Sequence, residues 1–129
     1  MSTKSQITIK EVRTVAVPVT DHDRALGFYL DTLGFEKRLD VPFGPGQRWV
    51  EVAPAGASTT IALAPGAPAS GEGHDTGIRL SSVDAASDHT KLQAAGVDVD
   101  QEVLRLPGVP PMFSFRDPDG NQLYVVEMA

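Results

Sequence analysis

The sequence predicts an α+β fold made of two tandem β-α-β-β-β modules, and three features carry that expectation. Asp117-Pro118-Asp119-Gly120 has the chemistry of a hairpin turn between runs of strand-forming residues: Pro presets φ, Asp bonds nearby backbone, and Gly accepts positive φ. The stretch from Trp49 to Gly56, followed by Thr60-Ile61-Ala62-Leu63, draws the same figure 64 residues earlier, with Pro54 and Gly56 in the places of Pro118 and Gly120. Each hairpin is preceded by a helix of the same design, capped by Asp21 and ended by Gly34 in one copy, capped by Asp84 and ended by Gly96 in the other.

Taken in order, Glu11 to Val19 alternates as a strand, with Val15, Val17 and Val19 on one face and Thr14, Ala16 and Pro18 on the other. Thr20 or Asp21 starts a helix from about His22 to Leu33, whose apolar stripe includes Ala25, Leu26, Phe28, Tyr29 and Leu33. Phe35 to Phe43 reads as a strand, Gly44-Pro45-Gly46 as a turn, and Arg48 to Val52 and Thr59 to Ala64 as a hairpin. Residues 66–76 are rich in Gly, Pro, Ala and Ser, a composition that packs poorly and predicts a linker. The unit then repeats: a strand from Gly77 to Val83, a helix from Asp84 to Gly96, a strand from Val97 to Leu106, a Gly108-Val109-Pro110-Pro111 turn, and the final hairpin. The modules therefore span 11–65 and 77–128 of a single 129-residue domain, long enough for one shared core.

Composition removes several function classes. With no cysteine, structural disulfides and thiolate metal sites are excluded. A net charge of −6, without clustered Lys or Arg, argues against nucleic acid or anionic membrane as a partner. The polar stretch Met1 to Lys10 lacks the apolar run of a signal peptide, and no segment approaches the roughly 20 apolar residues of a membrane span, so a cytoplasmic protein is expected. Neither a phosphate-cradling glycine loop nor a nucleophile elbow occurs.

Val17-x-x-x-Asp21, the helix pattern Ala25-Leu26-x-Phe28-Tyr29-x-x-x-Leu33-Gly34-Phe35, and the late Phe115-x-Asp117-Pro118-Asp119-Gly120-Asn121 together resemble the vicinal oxygen chelate superfamily of glyoxalase I, extradiol dioxygenases and bleomycin- and fosfomycin-resistance proteins. The resemblance spans Val12 to Glu127. It implies two modules curled into a half-barrel cup, with helices on the outer face, a ligand in the cup, and a homodimer. It does not fix the chemistry, because one scaffold carries many functions.

In metal-dependent members the ligands come from the first and fourth strands of each module, positions that the resemblance transfers to Thr14, Ala62, Gly77 and Tyr124. None is a histidine or carboxylate, so no metal and no cofactor are expected. His22, His74 and His89 have no ligand spacing and read as surface or half-buried residues.

If the valine rows lie under the helices, alternation puts Thr14 and Arg79 in the cup. Arg79 needs a partner there: Glu51 or another acid, or an anionic or carbonyl-bearing ligand. Trp49, Phe113, Phe115 and Tyr124 are the candidate walls of a small-molecule pocket, though aromatic residues also build cores. Glu51, sharing a strand face with Trp49, faces either cup or solvent. The leading expectation is metal-free binding of a small organic molecule by sequestration. The alternative is a glyoxalase-like lyase or isomerase with Glu51 as general base and Arg79 or Tyr124 stabilising an oxyanion. A pure interaction role, with the cup filled by side chains, stands third.

Overall fold

The computed structural model of the protein describes residues 6–66 and 74–128. Two open four-stranded sheets of identical topology form the frame. In the first, β1 (Thr14–Val19), β2 (Glu36–Pro42), β3 (Arg48–Ala53) and β4 (Thr60–Pro65) lie in the order β1-β4-β3-β2. In the second, β5 (His74–Ser82), β6 (Asp98–Val99), β7 (Met112–Arg116) and β8 (Asn121–Glu127) lie in the order β5-β8-β7-β6. The first strand of each module runs parallel to the last, and the other pairs are antiparallel. The expected α+β class and its two modules are therefore present.

Helix α1 (His22–Leu26) starts where Asp21 accepts from the Arg24 N–H, and α2 (Ala85–Ala94) starts where Asp84 accepts from the Ser87 N–H. The first helix departs from the expected regular form, because Gly27–Thr32 continues it as a π-helix. The cap-to-glycine distance explains this: Asp21 to Gly34 holds one residue more than Asp84 to Gly96, and a π-type wide turn absorbs a one-residue insertion. Accordingly the Leu33 N–H reaches back to the Phe28 carbonyl at 3.1 Å.

Two strands also differ from expectation. The strand expected over Val97 to Leu106 ends at Val99, because the Asp100 carboxylate takes the Ser114 N–H at 2.8 Å and so replaces the next ladder bond; contact resumes only as a single bridge between Leu104 and Met112. Strand β5 begins at His74, inside the expected linker; residues 67–73 of that linker lie outside the described residues. Between Asp75 and Arg79 the register with β8 shifts at Gly77, whose φ of 73° a side chain would strain.

Alternation divides each sheet into a helix-covered face and a helix-free face. Val17, Val19, Val50, Val52, Ile61 and Leu63 in the first sheet, and Leu123 and Val125 in the second, are buried with Ala25, Tyr29, Ala85 and Leu92 of the helices. Each such side chain removed from water contributes about 1.5–3 kcal/mol, so a one-residue slip of any strand would forfeit several at once. Phe113 and Phe115 belong to this core. The first is 2% exposed against His89 and the second fully buried against Phe28, while Ser114 between them pairs with Tyr124 on the opposite face. Their expected place beside the ligand is corrected accordingly: Ser114 and Arg116 take the helix-free side of β7, and the apolar rings take the covered side.

The modules are joined by polar contacts at the Asp117 turn. Asp117 Oδ2 accepts from Tyr29 Oη at 2.8 Å and from Asn121 Nδ2 at 2.9 Å, while Oδ1 accepts the N–H groups of Asp119 and Asn121. Asn121 Nδ2 also reaches the Pro18 carbonyl, and Asp119 Oδ1 accepts from the Thr20 hydroxyl at 2.6 Å and from Arg24 at 3.2 Å. The FY and DPDGN motifs are thus the two sides of one buried joint.

Candidate functional site

Two side-chain clusters occupy the helix-free faces, one per sheet. On the first, Glu51 is 3% exposed and pairs across the ladder with Ala62 and Leu39. It accepts from Trp49 Nε1 at 2.8 Å and Thr60 Oγ1 at 2.8 Å, and Arg13 approaches both carboxylate oxygens at 3.4 Å. Thr14 joins through its hydroxyl, 2.7 Å from that of Thr60. Burial pushes the Glu51 carboxyl up, but the bonds from Trp49 and Thr60 and the charge of Arg13 outweigh it and hold the group below the ordinary range. Thr14, Trp49 and Glu51, expected together, are brought together.

On the second sheet, Arg79 and Tyr124 are paired residues of adjacent strands. The guanidinium carbon of Arg79 stands 4.3 Å from the centroid of the Tyr124 ring, a cation–π stack. One nitrogen of the guanidinium donates to the Gly77 carbonyl at 2.9 Å, and Tyr124 Oη donates to Asp75 at 2.8 Å. That bond, followed by partial burial and the charge of Asp75, raises the phenol above its ordinary value, so Tyr124 remains a proton donor at neutral pH. Arg79 is exposed and forms no salt bridge among the described residues. Glu51 is not its partner, since that carboxylate is engaged by Arg13.

Sequence reasoning missed Asp75, which the linker composition around it concealed. Its position two residues before a glycine, where a carboxylate commonly folds back on the backbone, was the available signal: it accepts the Gly77 N–H at 2.9 Å. The three histidines stand apart from both clusters. His22 donates to the Leu63 carbonyl, His89 donates to the Asp100 carbonyl with its ring edge-on to Phe113, and His74 is exposed at the start of β5.

Neither cluster fits a divalent cation. The positions transferred from the metal-dependent relatives hold a hydroxyl, a methyl, a glycine and a neutral phenol, and no group of three or more His, Cys, Asp or Glu among the described residues could hold a metal ion. No helix among the described residues is long and apolar enough to cross a membrane.

The duplicated topology, the motif joint and the open sheet faces define a glyoxalase-type scaffold, and the family comparison agrees. The Glyoxalase/Bleomycin resistance protein/Dioxygenase superfamily model matches residues 11–125, and the chain belongs to that superfamily. The uncharacterized protein YetH of Bacillus subtilis (strain 168) is 33% identical over 120 residues, covering 92% of this chain and 99% of that protein. Among solved structures, a member of the same superfamily from Sphaerobacter thermophilus DSM 20745 is 35% identical with a TM-score of 0.85, covering 93% of this chain and 98% of that one. TnmS3, an antibiotic binding protein from Streptomyces sp. CB03234, is 34% identical with a TM-score of 0.81, covering 96% and 100%.

Proposed function

We propose that the protein binds a small organic molecule without a metal ion and holds it, unreacted, against the helix-free faces of its sheets. The observation that carries this is a difference between the duplicated modules at one matching place. The pair Ala16 and Ala62 in the first sheet corresponds, through the module repeat, to the pair Arg79 and Tyr124 in the second. One module offers an exposed guanidinium on a ring, with N–H groups to spare for an acceptor; the other offers two methyl groups, that of Ala16 exposed and that of Ala62 buried. Trp49, half-buried and fixed by Glu51, lies on the same helix-free face. Planar cation and aromatic surfaces suit a ligand with an unsaturated body and a carbonyl or anionic group. The likeness to an antibiotic binding protein supports the same class of role.

Turnover has less support. Glu51 is held ionised by its donors and is a weak base, while the Tyr124 proton is committed to Asp75. As the superfamily resemblance implies, the functional unit is taken to be a homodimer.

A thermal-shift screen of an organic-compound library against protein purified without chelator tests the proposal. At a hundredfold excess over Kd, a true ligand adds about 2.7 kcal/mol of stability. Hits that stabilise the protein only when stoichiometric zinc, nickel, manganese or iron is bound would overturn it.

A further inference from the structure

Behind the Arg79–Tyr124 pair, on the covered side of the same two strands, lies a separate cavity of about 290 Å³. Leu80 and Val125, paired with each other one residue beyond Arg79 and Tyr124, form its floor, with Phe115 beside them. Leu33 and Phe35 close one side, and Leu92 of α2 the other. The cavity also reaches Pro54 of the first module's hairpin and, at its polar end, Asp88 and Lys91.

The repeat shows how the lining of this space differs from its counterpart. Tyr29 and Leu92 each stand eight residues after their helix caps, Asp21 and Asp84, and Pro118 and Pro54 occupy matching turns. At the first of these places the Tyr29 ring and the Asp117 carboxylate form a buried polar joint beside a hollow of about 260 Å³ lined by Phe28, Val97, Asp98, Arg116 and Asp117. At the second, Leu92 has no hydroxyl, and Ala53-Pro54 supplies no carboxylate to meet one. The joint was built once, and at its counterpart the cavity is walled by apolar side chains instead.

We infer that this cavity is a second small-molecule site, selective for a small carboxylate with an apolar ring or branched body. The volume accommodates about ten heavy atoms at roughly 30 Å³ each, and the floor and walls are aliphatic and aromatic. At the polar end the two charges are not equivalent. Asp88 already accepts a hydrogen bond from the Ser82 hydroxyl, whereas the exposed Lys91 side chain makes no hydrogen bond or ion pair among the described residues. The uncommitted cation therefore sets the sign of the ligand. The site is independent of the Arg79–Tyr124 proposal, since it uses the other face of the sheet.

Phenylacetate, with 2-phenylethylamine as its cationic counterpart, provides the test, read by amide chemical shifts of the full-length protein. Phenylacetate is expected to give saturable shifts at Phe35, Leu80, Lys91 and Leu92 and to bind more tightly than the amine. Lys91→Met should weaken it about tenfold, and Arg79→Ala should leave it unchanged. Leu92→Tyr, which installs the counterpart's ring, should abolish binding; Thr32→Trp, which blocks the mouth from an exposed position, should do the same if the first variant misfolds. Absence of saturable shifts, equal or tighter binding of the amine, undiminished binding by Lys91→Met, loss of binding in Arg79→Ala, or undiminished binding in a folded filled variant would each overturn the inference.

Discussion

Tyr29 Oη donates to Asp117 Oδ2 at 2.8 Å across 88 positions of sequence, joining the first helix of one module to the last hairpin of the other. Both groups are buried, so breaking the bond strands a carboxylate oxygen that only Asn121 then serves. Tyr29→Phe is expected to destabilise the protein by about 1–3 kcal/mol in urea unfolding. A change below a few tenths would mean that the joint carries little of the fold.

The same bond predicts an alkaline transition. Burial, then the charge and hydrogen bond of Asp117, push the Tyr29 phenol well above its ordinary value. A group whose folded-state pKa is raised contributes fully below the unfolded value, and its contribution is lost as pH rises through the folded one. Stability should therefore fall as pH climbs beyond about 10. The Tyr29→Phe protein should show a shallower slope there in pH-dependent unfolding.

Glu51 predicts the opposite pH window. Its folded-state pKa is lowered, so its contribution is present above the unfolded value and lost as pH falls through the folded one. Glu51→Gln is expected to cost about 2 kcal/mol at neutral pH. The difference from the parent should vanish at pH values well below about 4, where both side chains are neutral. Denaturant midpoints across that range measure it.

Two glycines should respond in opposite directions to alanine. Gly27 has helical φ and ψ of −56° and −42°, and an added methyl meets nothing within 4 Å, so Gly27→Ala should stabilise by about 0.5–1 kcal/mol. Gly56 also has open space but a φ of 82°, so Gly56→Ala should destabilise by about 1–2 kcal/mol from backbone strain alone. Thermal midpoints of the two variants separate backbone strain from packing.

What the sequence disclosed about this fold came from local chemistry. Asp21, Asp84 and the Pro-Gly turns mark element ends by bonds to their own neighbours, so the modules could be read directly. The faces of β1, β3 and β5 followed from alternating valine or aliphatic residues. The face of β7 stays open in the sequence, because Phe113 and Phe115 suit a ligand wall and a core alike and a one-residue slip in hairpin register exchanges the two; packing against Phe28 and His89 decides for the core. The π-helix lay hidden in a one-residue difference between the two cap-to-glycine spacings. The Asp75 contact and the Tyr29–Asp117 bond pair residues 49 and 88 positions apart, a proximity that only tertiary packing creates.

The central claim is metal-free recognition by the Arg79–Tyr124 pair, and the direct measurement is calorimetric titration of a thermal-shift hit into parent protein, Arg79→Ala and Tyr124→Ala, each with and without EDTA. The expected result is an affinity indifferent to EDTA and weakened about tenfold or more in both variants, the loss of a charge-assisted or ring contact. Binding that disappears with EDTA, or that both variants retain in full, would contradict it.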